Sequence, residues 1–166
     1  SMKRWARAYD LAVSTRTTAD YTASFLVGVD WKGNYFIADG FRKRIEFPEQ
    51  RRYVLERMRE EKHVIHGVED ALHGKALVQD IQRETDLGNV TLRSVRVDSD
   101  KVTRALAWAS RAENGKLFLL RGGWIGELVD EVASFPNGSH DDQIDAISLA
   151  ISLLAAFVIG WTGPPS

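Results

Sequence analysis

Cysteine is absent from the sequence, which excludes disulfides, thiolate zinc sites and cysteine nucleophiles. A charge excess is absent too: 22 lysines and arginines against 23 acids give a formal net charge of -1 and a sequence pI near 6.4. No global field therefore draws the chain toward nucleic acid or an anionic membrane, and a polyanionic partner has to be held by a local patch. No secretory signal is visible, because Lys3, Arg4 and Arg7 are interleaved with single apolar residues and no apolar core region follows. The most apolar stretch, residues 146–161, follows Asp145 and is broken by Ser148 and Ser152. It falls short of the roughly 18 clean residues that suggest a membrane span and reads as a buried helix. Internal repeats, low-complexity tracts and Pro/Gly/Ser-rich linkers are missing before the terminal TGPPS, which favours one domain.

What is present has the composition of an ordinary soluble domain, 44% hydrophobic and 27% charged. Ser1-Met2 reads as a tag remnant, 3–157 as the folded domain and 158–166 as a flexible tail. Residues 3–12, 21–30 and 33–42 alternate as strands, the last two joined through the turn chemistry of Lys32-Gly33-Asn34. From Pro48, PEQRRYVLERMREEK is rich in helix formers, with Tyr53, Val54, Leu55 and Met58 on its apolar side. HVIHGVED reads as a buried strand, GKALVQDIQRET as a helix and VTLRSVRV as another strand. A helix near 100–113, a short strand KLFLL, a helix near 123–134 and a closing helix from about Ser139 complete the chain. Three strands followed by alternating helices and strands predict a mixed α/β sheet, opened by an antiparallel three-strand meander, with helices on its faces.

Carboxylates fall at the ends of these elements. Alternation along RWARAYDLA puts Trp5, Arg7, Tyr9 and Leu11 on one face, and Ala6, Ala8, Asp10 and Ala12 on the other. Asp10 therefore projects among alanines, which leave room beside it for an ion; the alternative is an acid capping the following turn. HVIHGVED ends on Glu69 and Asp70, which point to opposite faces, so only one of them can share a site with Asp10. Glu69 is favoured because Gly67, two residues earlier, leaves space on its side, whereas Asp70 suits a helix N-cap. In FPNGSHDDQIDAIS, Ser139 and Asp142 have capping-box spacing, and Asp141 and Asp142 suit a first helical turn. Asp145 lies a turn deeper and shares a face with Asp142, opposite the stripe of Ile144, Ile147, Ile151 and Leu154. A buried unpaired carboxylate there costs several kcal/mol or takes up a proton, so a cation is its natural partner. Acids from a first strand, a central strand and a late helix make an all-oxygen set suited to Mg²⁺ or Mn²⁺. Two such ions about 4 Å apart serve phosphodiester hydrolysis.

The stretches RAYDLA, HGVEDALHGKAL, VDSDKVTRALAWAS and FPNGSHDDQIDAISLA, in this order, resemble the C-terminal nuclease domain of tailed-phage terminase large subunits. The resemblance runs from Arg4 to about Leu154 and is most specific in the last motif combined with the others. It implies an RNase H-like, RuvC-like α/β fold with helices on both faces of the sheet. The implied activity is cleavage of concatemeric double-stranded viral DNA with two Mg²⁺ or Mn²⁺ ions when packaging begins and when the head is full. By motif position, Asp10, Glu69, Asp142 and Asp145 become the catalytic, metal-binding acids, with Asp141 able to substitute or to hold water. The partners implied for the full-length protein are its ATPase domain, the terminase small subunit and the portal. The setting implied is the host cytoplasm, transiently at the procapsid portal, with no membrane. No GxxxxGK[ST] phosphate loop occurs, so the chain is expected to be an excised nuclease domain without ATP hydrolysis of its own.

Candidate DNA contacts are local: Arg42, Lys43 and Arg44 at the end of the third strand, and Lys101 with Arg104 one helical turn apart. Phosphate contacts from such groups are sequence-independent and salt-sensitive. Lys101, at a loop-to-helix junction beside the acids, is the candidate for the scissile phosphate. His63, His66, Glu69 and His73 invite a zinc reading, but His63 and His66 point to opposite faces of a strand and no HExxH occurs. His140 is placed either to position water or phosphate or to stand exposed at a helix start. The same acids would serve a junction resolvase or a transposase-like enzyme. A non-enzymatic module that grips DNA or docks to the portal is the remaining alternative.

Overall fold

The computed structural model describes residues 3–13, 21–97 and 100–158. The expected tag remnant, most of the expected tail, and Asp98-Ser99 of the third quoted stretch lie outside the described residues. Eleven elements follow one another: β1 (Lys3–Asp10), β2 (Thr22–Asp30), β3 (Tyr35–Lys43), α1 (Phe47–Glu60), β4 (Ile65–Glu69), α2 (Leu72–Ile81), β5 (Leu92–Val95), α3 (Lys101–Glu113), β6 (Leu117–Leu119), α4 (Ile125–Ser134) and α5 (Asp142–Val158). They form one six-stranded sheet in the order β5-β4-β1-β2-β3-β6. β2 runs antiparallel to β1 and β3, while β4, β5 and β6 join their neighbours in parallel. This is the mixed sheet expected from the order of the elements.

The β2–β3 turn forms because Gly33 takes φ +81° and Asp30 gathers the turn. The Asp30 carboxylate accepts from the Lys32 and Asn34 backbone N–H groups and from Asn34 Nδ2, at 2.9–3.0 Å. Pro48 occupies the first turn of α1, where its missing N–H has no intrahelical partner to lose.

Each face of the sheet carries its own apolar cluster. On one, Tyr9 and Val68 pack with Val54, Leu55 and Met58 of α1 and Leu77 and Ile81 of α2. On the other, Ala6, Ala8, Ala23, Phe25 and Val27 pack with α3, α4 and above all α5. Ala6, Ala8 and Ala23, together with Ala146 and Ala150 of α5, are completely buried. Small residues on both surfaces allow the helix to approach the sheet closely.

Two reasons drawn from sequence for an open space beside the acids are therefore corrected. The alanines flanking Asp10 are the bed of α5. A Cβ added at Gly67 would stand 2.5 Å from Leu153, so that glycine admits α5 rather than leaving a void. A third correction concerns the start of α5. It begins at Asp142, with the Asp141 carbonyl accepting from the Asp145 N–H at 2.9 Å, so Ser139 is not its N-cap.

Candidate active site

Strand register places the first two acids side by side. β1 and β4 are parallel, with Ala8 opposite Gly67 and Tyr9 opposite Val68, so Asp10 and Glu69 are the next residues along on adjacent strands. Period-two alternation directs both to the α5 face. Asp70 lies past the strand, where Lys75 Nζ stands 3.5 Å from it. α5 starts over the same edge and brings Asp142 and Asp145 toward Asp10.

The charges of these groups act on one another. Burial raises the Asp10 carboxyl well above the usual carboxylate range, and the charges of Asp145, Asp142, Glu69 and Asp141 raise it further, in that order. Asp142 is pushed up to about 7 by burial, then by Glu131 and Asp141. Burial and Asp141 push Asp145 up to about 6, against the opposing pull of Lys101 and Arg104.

Among the described residues, Asp142 Oδ2 and Asp145 Oδ1 are buried oxygens without a hydrogen-bond partner, and His140 Nδ1 is a buried nitrogen without one. Buried acceptors left unpaired are costly. All-oxygen donors with orphaned lone pairs fit a hard divalent cation. No three His, Asp or Glu side chains among the described residues converge into a ready-made cage. The charges of Asp145, Asp142, Glu69 and Asp141 nonetheless all bear on the carboxyl of Asp10.

Basic groups stand on both sides. The Lys101 ammonium lies 2.8 Å from Asp141 Oδ2 and 3.3 Å from Asp145 Oδ2, a cation already set between two of the acids. This contact holds its own pKa above the usual lysine value. The Asp100 side chain caps α3 by accepting from the Thr103 N–H at 2.9 Å, which fixes the turn carrying Lys101 and Arg104. Across the cleft, the Arg42 and Arg44 guanidinium groups each lie 4.4 Å from the centre of the Tyr21 ring. Arg42 also stands 3.5 Å from Glu127 and 3.6 Å from Glu131, with its side chain 17% exposed. Lys43 and Arg44 are exposed at the end of β3.

His66 and His73 stand apart from this cluster. His66 is buried on the opposite face, where its Nε2–H donates to the Glu61 carbonyl and its Nδ1 accepts from the Tyr9 hydroxyl, both at 2.9 Å. His73 bonds Gln50 at 2.9 Å. The four-residue zinc grouping weighed from sequence is not assembled.

The family described as Terminase RNaseH-like domain matches residues 7–154, nearly the whole chain. The chain belongs to this family. Solved structures agree on the fold of this terminase RNase H-like domain. The human cytomegalovirus terminase nuclease domain, Mn soaked and inhibitor bound, superposes with TM-score 0.63 at 14% identity, over 90% of this chain and 82% of that one. Another structure of the human cytomegalovirus terminase nuclease domain gives TM-score 0.62 at 15% identity, over 90% of this chain and 82% of that one. The large terminase nuclease from thermophilic phage G20c with bound zinc gives 0.60 at 18% identity, over 90% and 81%. A comparison with curated protein sequences returns no significant match.

Two features of this terminase domain escaped the sequence reading. Glu131 of α4 is an acid on an otherwise apolar stripe that includes Leu128, and it is 5% exposed. An acid at helical spacing from buried Leu128 was the available signal. Tyr21 bridges the two arginines and meets the His140 ring edge-on at 5.0 Å, a contact between distant residues with no local signature.

Proposed function

We propose that this domain is the metal-dependent endonuclease of a viral DNA-packaging terminase large subunit. The reading is supported by acids on β1, β4 and α5 whose charges act together on Asp10, and by buried oxygens of Asp142 and Asp145 that have no partner among the described residues. Asp10, Glu69, Asp142 and Asp145 would hold Mg²⁺ or Mn²⁺, with Asp141 beside them. Two such ions, when bound, supply an activated water and stabilise the leaving oxygen of a phosphodiester.

The remaining work belongs to the chain's own side chains. Lys101, on the rim between Asp141 and Asp145, is placed to exchange those contacts for a phosphate oxygen and so to seat the strand over the acids. Arg104 supports it from the next turn of α3. Lys43 and Arg44, with Arg42 behind them, hold backbone phosphates on the opposite bank. These contacts read no bases, so binding is sequence-independent and weakens with salt. The substrate is concatemeric double-stranded DNA, cut when packaging starts and ends, in the host cytoplasm at the procapsid portal. The ATPase domain, the small subunit and the portal are its partners in the full-length protein.

The test is plasmid nicking and linearisation in Mg²⁺ or Mn²⁺, comparing the wild type with Asp10→Asn. Loss of one ligand from a cooperating set is expected to lower cleavage by a factor on the order of 10³ or more. Equal cleavage by both proteins would remove Asp10 from the site.

A further inference from the structure

α5 presents Asp142 and Asp145 from its first turn, and the N–H groups ahead of Asp145, which alone reaches the Asp141 carbonyl, have no helical carbonyl one turn back to receive them. Such a turn frays unless something outside the helix holds it. Ser139 does not cap it, and Asp141 directs its carboxylate to Lys101 instead. The partner comes from another helix. Glu131 of α4 accepts the Ile144 N–H at Oε2, 2.7 Å away, and the Gln143 side-chain Nε2 at Oε1, 3.1 Å away. Gln143 Nε2 also donates to the Glu127 carbonyl at 3.2 Å, so two residues of α4 and two of α5 are tied together.

The environment of this carboxylate is unusual for a mere strut. Its side chain is 1% exposed, and Arg42 Nη1 stands 3.6 Å from Oε1. A buried carboxylate with a guanidinium that close is compensated rather than left isolated. Arg42 leads back to the end of β3. One carboxylate thus links the strand bearing the proposed DNA contacts to the turn bearing two proposed metal ligands.

From these contacts we infer that Glu131 is a positioning residue for the metal-binding turn. It caps the first turn of α5 from α4 and fixes where Asp142 and Asp145 stand. This rests on the reading of those two aspartates as metal ligands. Outer partners that orient ligands alter metal affinity or activity by about 10-fold to 100-fold when removed. Glu131→Ala is accordingly expected to raise the Mn²⁺ concentration for half-maximal plasmid cleavage by about 10-fold or more, at a temperature where the variant is fully folded. Glu131→Gln retains an acceptor for the Ile144 N–H and is expected to recover most of the wild-type metal requirement.

A readout independent of metal and cleavage is hydrogen exchange at the Ile144 amide in EDTA. It should be protected in the wild type and in Glu131→Gln, and exposed in Glu131→Ala. A folded Glu131→Ala protein with wild-type Mn²⁺ half-saturation would overturn the inference, as would an unprotected Ile144 amide in the wild type. If Glu131→Ala does not fold, the same exchange measurement on Gln143→Ala and Glu131→Gln decides it. Because Glu131→Gln keeps an acceptor, Glu131→Leu is measured beside them: protection lost there but kept in Gln143→Ala supports Glu131 as the cap, protection lost in Glu131→Gln as well shows that the charge itself is required, and protection kept in Glu131→Leu overturns the inference. Protection lost in Gln143→Ala alone overturns the inference. Failure of the parent reading looks different: the wild type then shows no metal-dependent cleavage, whatever the state of the amide.

Discussion

Two of the charges on β1, Arg7 and Asp10, stand three residues apart, and the protein treats them in opposite ways. Arg7, on the α1 face, is completely buried and fully engaged: Glu61 accepts from it twice, at 2.7 and 2.6 Å, and Asp39 once at 2.8 Å, with Ser24 and Tyr53 at 3.2 and 3.4 Å. Asp10, on the α5 face, has its carboxyl raised by burial and by the charges of four further acids. The first arrangement resembles a finished ion-pair network that ties the end of α1 to the sheet. The second is an unfinished one, with buried oxygens on Asp142 and Asp145 that no group among the described residues completes. A fold that satisfies one buried charge so thoroughly can satisfy another; where it does not, an outside partner is the economical explanation.

The contrast is broken most severely from the finished side. Arg7→Ala leaves Glu61 without its main partner in a buried site, and the loss is expected to be about 3–5 kcal/mol in urea unfolding. A loss below about 1 kcal/mol would mean that the network contributes little beyond a surface ion pair.

On the unfinished side the expected effect is smaller and has the opposite sign. A carboxyl whose pKa is raised by folding favours the folded state below its unfolded pKa of about 3.9, and that contribution is lost as pH rises through the folded value. For Asp145 and Asp142 the folded values are about 6 and about 7, so the window of loss ends near neutrality for these two. Asp10 is raised too, by burial first and then by its acidic neighbours. In EDTA, Asp10→Asn should therefore be more stable than the wild type above neutral pH. The gap should close as the pH falls to 4. Thermal unfolding of both proteins at pH 4, 6 and 8 checks this, and a wild type that is the more stable protein at pH 8 without metal would refute it.

The two faces also differed in how far they could be read from the sequence. Period-two alternation sorts Arg7 and Tyr9 from Ala8 and Asp10 without any structure, and turn and helix signals recover the element order. The reasons for individual choices were less secure. Gly67 and the alanines looked like space beside an acid, because composition shows small residues without showing what fills the gap; Leu153 and the α5 alanines do. The start of α5 was misread for a related reason. Ser139 has local capping spacing, but the Ile144 N–H is received by Glu131, and a cap delivered from another helix leaves no mark in the sequence around α5. The partners of Arg7 were equally hidden, since Glu61 and Asp39 lie 54 and 32 residues away along the chain.

The most direct measurement of the central claim is the melting temperature of the domain at pH 8 as MnCl₂ is titrated, for the wild type and for Asp145→Asn. A ligand that binds only the folded state stabilises it by about 2.7 kcal/mol at a hundredfold excess over its dissociation constant. The expected result is a wild-type melting temperature that climbs with Mn²⁺ and an Asp145→Asn curve that stays nearly flat from an intact fold. Parallel climbs in both proteins, or none in the wild type, would contradict the assignment of these acids as a metal site.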